Sequence, residues 1–189
     1  MRSTRPGVVV RAAEDGSTVP VADLTRLAGG AALLLDDERT WQFAGTVAVV
    51  ENAEAFWRHH RVLNVDLAIY TAGRMSSRRL LAWLSSNVMS DCSYLHWGDY
   101  DPVGAAEYLR LCEACPGRVQ MHLPNNLDAL VARYGKRELL VDQLDTLRHV
   151  RHFTADAVIA QLVDIWDRRQ RGLEQELLLR SEAGLRQGC

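Results

Sequence analysis

Three acidic residues stand where apolar strands run out. Thr46-Val47-Ala48-Val49-Val50 is a continuous, mostly β-branched run followed by Glu51-Asn52. Ser93-Tyr94-Leu95-His96-Trp97 runs into Gly98-Asp99-Tyr100-Asp101-Pro102-Val103-Gly104. Strands this apolar do not need acids at their ends for solubility, and in an open parallel sheet ligands bind beyond the carboxyl ends of the strands. If the two strands are neighbours, Glu51, Asp99 and Asp101 converge. Two like charges about 4 Å apart repel by roughly 4 kcal/mol at an effective dielectric of about 20. Such a cluster needs a divalent cation or a strongly raised pKa on one member. An all-oxygen carboxylate set favours Mg2+, with Mn2+ as an alternative, and keeps several waters that a phosphate can displace. Plainer explanations exist for each residue. Asp101 before Pro102 is a good N-cap followed by proline at the first helical position, and Glu51 suits the positive end of a helix dipole. The joint pattern, strand–Glu, a complete intervening β–α pair, then strand–Asp-x-Asp-Pro-x-Gly, is what points to a metal.

Basic residues near that edge are candidates for holding a phosphate. Arg74, Arg78 and Arg79 lie in the loop after the second strand and in the first turn of the next helix, where positive charge works against the helix dipole; a solvated face is the alternative. Arg58, His59, His60 and Arg61 end the preceding helix, where cations are expected anyway. Arg168, Arg169 and Arg171 read as a solvated helix face. His149 and His152 are three apart without a third ligand. Cys112 and Cys115 form a CxxC inside an apparent helix, with no second pair to complete a zinc site, so packing is expected for both.

The elements that must position these residues follow from periodicity. Strands are expected at 46–50, 66–70, 93–97 and 118–123. Helices are expected from Asn52 to about Val62, over Arg78–Asn87 behind Ser76 as cap, and from Pro102 to about Ala114. This strand–helix alternation means a parallel sheet with right-handed crossovers. Before it, residues 1–45 are expected to form a small β-rich extension. It would hold strands at Ala31–Leu35 and Thr40–Phe43 and a helix within Val19–Leu27 capped by Ser17 or Thr18. Residues 46–123 form the core. Residues 124–189 are a helical part of the same domain, with a helix capped by Thr154 whose stripe is Val158, Ile159, Leu162, Val163 and Trp166.

The chain has 189 residues, a net charge of −2 and 48% hydrophobic residues. Those values suit one domain with a continuous core and exclude a broadly basic protein that coats phosphates. No apolar run approaches the roughly 18 residues of a membrane span, and Val8–Val10 is too short for a signal-peptide core. A cytoplasmic protein is the expectation. The 22 basic residues include a single lysine, Lys136.

At Val47–Asn52, Tyr70-Thr71-Ala72-Gly73 and His96–Gly104 the sequence resembles a Toprim domain, the catalytic domain of topoisomerases, primases and some nucleases. It is most similar to the C-terminal Toprim domain of the Wadjet anti-plasmid nuclease subunit JetD, a relative of the type VI topoisomerase A subunit. The late Leu173-Glu174-Gln175-Glu176 looks like the same subgroup. The resemblance implies a Rossmann-like α/β fold with a four-stranded parallel sheet flanked by helices. It also implies Mg2+-dependent cleavage of DNA phosphodiesters within a defence or genome-maintenance assembly. On that basis Glu51 acts in proton transfer or shares in metal binding, Asp99 and Asp101 hold Mg2+, and Glu174 or Glu176 adds a second-metal ligand. Two metals would clamp the attacking and leaving oxygens. Gly73 sits in the loop where backbone approaches a phosphate. Implied partners are DNA and other subunits, an SMC-like ATPase among them, with room for a homodimer.

One departure stands out. Wadjet and type VI subunits carry a DNA-binding domain ahead of the Toprim part, and the first 45 residues have no room for it. Hydrolysis by water is therefore expected, rather than attack by a tyrosine. Tyr70, Tyr94, Tyr100, Tyr108 and Tyr134 read as packing. Two other functions compete. A haloacid-dehalogenase-type phosphatase also uses Asp-x-Asp, but after its first strand and continuing with Thr or Val, not Pro. A non-catalytic or partner-dependent Toprim module that binds nucleic acid is the other.

Overall fold

A computed structural model describes residues 1–36, 39–73 and 77–179. The chain divides into two compact units, one of Met1–His96 with Leu111–Gln120 and the other of Trp97–Arg110 with residues from Met121 onward. The fold is α/β, as expected: a four-stranded all-parallel sheet flanked by helices, with a small three-stranded antiparallel sheet.

In the first unit β1 (Val10–Ala12), β2 (Thr18–Val19) and β3 (Trp41–Gln42) make the antiparallel sheet in the order β2-β1-β3. Helix α1 runs over Val21–Ala28, so Thr18 lies in a strand, and neither Ser17 nor Thr18 caps the helix as expected; Pro20 precedes it without a side-chain cap. Ala31–Leu35 is not a strand either. Instead the segment's first residue is held by the chain terminus, where Ala31 N–H donates to the Met1 carbonyl at 2.9 Å.

The parallel sheet has the order β5-β4-β6-β7, from β4 (Gly45–Val50), β5 (Leu67–Tyr70), β6 (Cys92–Trp97) and β7 (Val119–Met121). Val47 to Val50 are all fully buried, as a strand covered on both faces requires. Helix α2 (Ala53–Arg58) follows β4, and Asn52 caps it by accepting from Ala55 N–H. Helix α3 (Arg78–Ser85) is capped by Ser77, which accepts from Leu80 N–H; the expected cap, Ser76, lies outside the described residues. Val47, Val49, Leu67, Ile69, Leu80, Leu84, Tyr94, Leu111 and Cys115 share one core with Val10, Ala12 and Trp41, so the antiparallel sheet packs on the same apolar mass.

Helix α4 (Pro102–Ala114) has the expected bounds. In the second unit α5 (Leu127–Tyr134), α6 (Glu138–Val141), α7 (Leu144–Val150) and α8 (Ala157–Arg169) follow. Asp156, not Thr154, caps α8, accepting from Val158 and Ile159 N–H at 2.8 and 3.1 Å. Of the expected stripe, Ile159, Leu162, Val163 and Trp166 are buried, while Val158 is half-buried. Among the described residues no helix is long and apolar enough to cross a membrane.

Candidate functional site

Glu51 leaves β4 directly, and its side chain, 10% exposed, has Oε1 3.6 Å from Nε2 of the fully buried His96 on β6. That spacing is an electrostatic contact beyond hydrogen-bond length. The Glu51 main chain is fixed from the other neighbour: its carbonyl accepts from Gly73 N–H at 3.0 Å, and Thr71 N–H bonds the Val50 carbonyl at 3.0 Å. Thr71 Oγ1 closes the turn on the Gly73 carbonyl at 2.6 Å. Gly73 has φ +93, and a Cβ there would meet nothing within 4 Å. Glycine is therefore required by the backbone and not by crowding, and the peptide faces open space. Of the arginines expected beside it, Arg78 and Arg79 lie in the first turn of α3, with the Arg79 guanidinium 3.4 Å from the Leu35 carbonyl. Arg74 lies outside the described residues.

The second unit builds the Asp-Tyr-Asp turn. Asp101 caps α4: its Oδ1 accepts from Gly104 N–H at 2.8 Å, and its Oδ2 accepts from Gln143 Nε2 at 2.7 Å. The same Gln143 amide takes the Val103 N–H on its oxygen at 2.9 Å, so one side chain fixes both the carboxylate and the helix start. Asp101 is 3% exposed. Gly104 has no room for a side chain, since a Cβ would lie 2.0 Å from the Asp99 carbonyl oxygen. The glycine of the motif is thus where the Asp99 main chain crosses the first turn of α4.

A late strap completes this side. Tyr100 and Leu173 exchange main-chain bonds of 2.8 and 3.1 Å, and Lys136 and Gly172 exchange bonds of 2.9 and 3.0 Å. The strap puts Gln175 N–H on Asp99 Oδ1 at 2.8 Å, and Trp166 Nε1 donates to the Tyr100 carbonyl at 3.1 Å. Glu174 pairs with Lys136, Oε2 to Nζ 2.7 Å. Burial pushes the Asp99 pKa up to about 6; the Gln175 N–H opposes this, while Asp101, Glu174 and Glu176 add to it. Glu174 and Glu176, the late acids of the sequence, therefore belong electrostatically with Asp99. Gln143 joins the site without any mark in the sequence, while Gln175 lies inside the late Leu173–Glu176 motif and Lys136 is the single lysine, neither pattern pointing to its partner. Their separations from Asp101, Asp99 and Glu174 along the chain leave no local pattern that singles them out.

Among the described residues no three His, Cys, Asp or Glu side chains gather closely enough to hold a metal ion. The donor set still suits a hard cation. Asp99 and Asp101 offer carboxylate oxygens, an oxygen that accepts one N–H keeps a second lone pair, and the burial and neighbouring acids that raise Asp99 are offset by positive charge. This fits an ion that keeps most of its waters and takes one or two carboxylates, the habit of Mg2+. It does not fit a closed protein cage.

The fold is α/β, with Glu51 following β4 in the first unit and, in the second, Asp99 and Asp101 each accepting a main-chain N–H. The family described as Wadjet protein JetD, C-terminal, matches residues 4–183. The chain belongs to that family, which supports a Wadjet-associated role and protein partners. No curated protein and no solved structure matches the chain. The match begins ahead of β1 and extends past the strap, so the antiparallel sheet lies inside the family's span.

Proposed function

We propose that this chain cleaves DNA phosphodiesters in a divalent-cation-dependent reaction, as the catalytic part of a Wadjet assembly. The observation that carries the proposal is the setting of Asp99: an acid at a strand end, oriented by Gln175 N–H, with its pKa pushed up to about 6. A cation beside this carboxylate would favour its charged form against burial and the neighbouring acids, which supports a bound divalent ion. Family membership supports the nuclease-like direction.

A bound Mg2+ or Mn2+ supplies Lewis-acid charge to a phosphate ester. The chain's own residues do the rest. Asp99 and Asp101 present oxygens whose directions are fixed by Gln175 and Gln143, and Glu174 and Glu176 are candidates for further ligands. Glu51, anchored through the Gly73 loop and set against His96, is assigned the acid–base role. The Gly73 loop, with Arg78, Arg79 and Arg74, is assigned to the phosphate backbone.

The test is incubation of supercoiled plasmid with the chain and Mg2+ or Mn2+. Nicked or linear product is expected from the wild type and not from the Asp99→Ala/Asp101→Ala variant. Equal cleavage by both would overturn the assignment. A second function, a partner-dependent nucleic-acid-binding module, is favoured by the engagement of both Asp101 oxygens by N–H groups. DNA binding by the wild type without cleavage would support it.

A further inference from the structure

The arginines of the second unit are of two kinds. Arg168 and Arg169 share Asp128 at 2.6–3.0 Å, and Arg168 also holds Asp164 at 2.8 Å. Arg110 pairs with Glu107, Arg148 with Asp145 and Arg151 with Asp167. Among the described residues of this unit, Arg133, Arg137 and Arg171 are the arginines without a carboxylate partner. They sit around one feature, the Lys136–Gly172 bridge. Arg171 precedes Gly172 on the strap and reaches back to the Ala132 carbonyl at 3.4 Å, Arg137 adjoins Lys136, and Arg133 lies in the last turn of α5 with its guanidinium 5.0 Å from the centre of the Tyr134 ring. All three arginines are exposed, and Tyr134 is 38% exposed. Tyr134, expected to pack, is thus part-exposed with an arginine over its ring.

We propose that Arg133, Tyr134, Arg137 and Arg171 form a DNA-binding face that holds the phosphate backbone next to the acids of the strap. The inference deepens the proposed cleavage and rests on it for the choice of DNA as polyanion. Two residues beyond Gly172 the strap carries Glu174, and one further on Gln175 holds Asp99. A backbone gripped at Arg171 is therefore tied through a hydrogen-bonded strap to the carboxylate assigned to the cation. Uncompensated arginines around an exposed aromatic ring make the usual electrostatic and stacking platform for nucleic acid. This local grouping escapes the whole-chain balance, because net charge averages it against paired acids elsewhere.

The test is binding of a fluorescein-labelled duplex of about 20 base pairs, read by anisotropy with EDTA present at about 50 mM salt, where phosphate contacts are strong. The wild type is expected to bind. Arg137→Glu and Arg171→Glu should each weaken binding by roughly 10-fold and lower the slope of log affinity against log salt by about 1 or more, with Arg137→Gln and Arg171→Gln intermediate. Arg148→Glu, which reverses an exposed but acid-paired arginine, should bind as the wild type. Wild-type failure to bind, equal loss in the Arg148→Glu control, or unchanged binding by the charge-reversed variants would each overturn the inference. Displacement of the duplex by polyglutamate of equal charge as readily as by DNA would overturn the choice of partner. Because EDTA removes cleavage from the measurement, plasmid left intact with Mg2+ counts against the cleavage proposal alone.

Discussion

Asp99 is held in a setting that disfavours its charged form. Its pKa, pushed from 3.8 to about 6 mainly by burial, is higher in the folded chain than in the unfolded one. The native state therefore binds a proton more tightly, and that contribution is complete below about pH 4 and lost as pH rises through 6. A tenfold change in proton affinity is worth about 1.4 kcal/mol. In EDTA, urea unfolding should therefore show stability falling by about 2 kcal/mol from this residue between pH 4 and pH 7. Asp99→Asn should flatten that slope. Gly104 supplies a second residue-scale test. Alanine is favoured over glycine inside a helix by about 1 kcal/mol, yet its Cβ would lie 2.0 Å from the Asp99 carbonyl. The clash should win: Gly104→Ala is expected to lose more than about 2 kcal/mol in urea unfolding and to displace Asp99, abolishing metal-dependent cleavage.

Among the elements, α8 anchors the strap that holds the Asp-Tyr-Asp turn. Asp156 caps the helix with two N–H bonds and also accepts from Tyr108 Oη at 3.2 Å, while Trp166 near the other end holds the Tyr100 carbonyl. Asp156→Ala should cost about 1–2 kcal/mol in urea unfolding. The sequence makes some elements plain and hides others for the same reason, the range over which the deciding contact acts. Helix α4 has its whole definition in neighbours: Asp101 accepts from Gly104 three residues on, and Pro102 sets the first turn. Strand β4 is legible because burial on both faces leaves an unbroken apolar run. The cap of α8 lies two residues from the expected one because Thr154 and Asp156 are both good caps and only packing chooses between them. Ala31–Leu35 has the composition of a strand, but its partner is the chain terminus and not a sheet edge. The acids at the strand ends are equally visible. Gln143 and the Gln175 N–H are not, since each reaches its aspartate across 42 and 76 residues, a separation no spacing rule covers.

Across the whole molecule, a net charge of −2 conceals extensive local pairing of arginine with carboxylate. The acids around Asp99 are the exception in kind, being grouped with one another. A cation that binds the folded chain alone should stabilise all of it: at a concentration about 100 times its dissociation constant the gain is about 2.7 kcal/mol. For a chain of this size, that shifts the melting midpoint upward by about 5–10 °C. Thermal melts with and without Mg2+ should show the rise in the wild type and not in Asp99→Asn/Asp101→Asn. The pairing of Glu174 with the only lysine in the sequence has a practical consequence. Lys136 Nζ is the sole side-chain amine, its pKa is raised by Glu174, and it stands exposed beside the strap. Among side chains, an acylating dye will therefore mark this amine alone. Its rate of attachment becomes a gauge of how firmly Glu174 is held, quickening when the carboxylate turns to another cation and the freed ammonium gives up its proton more readily.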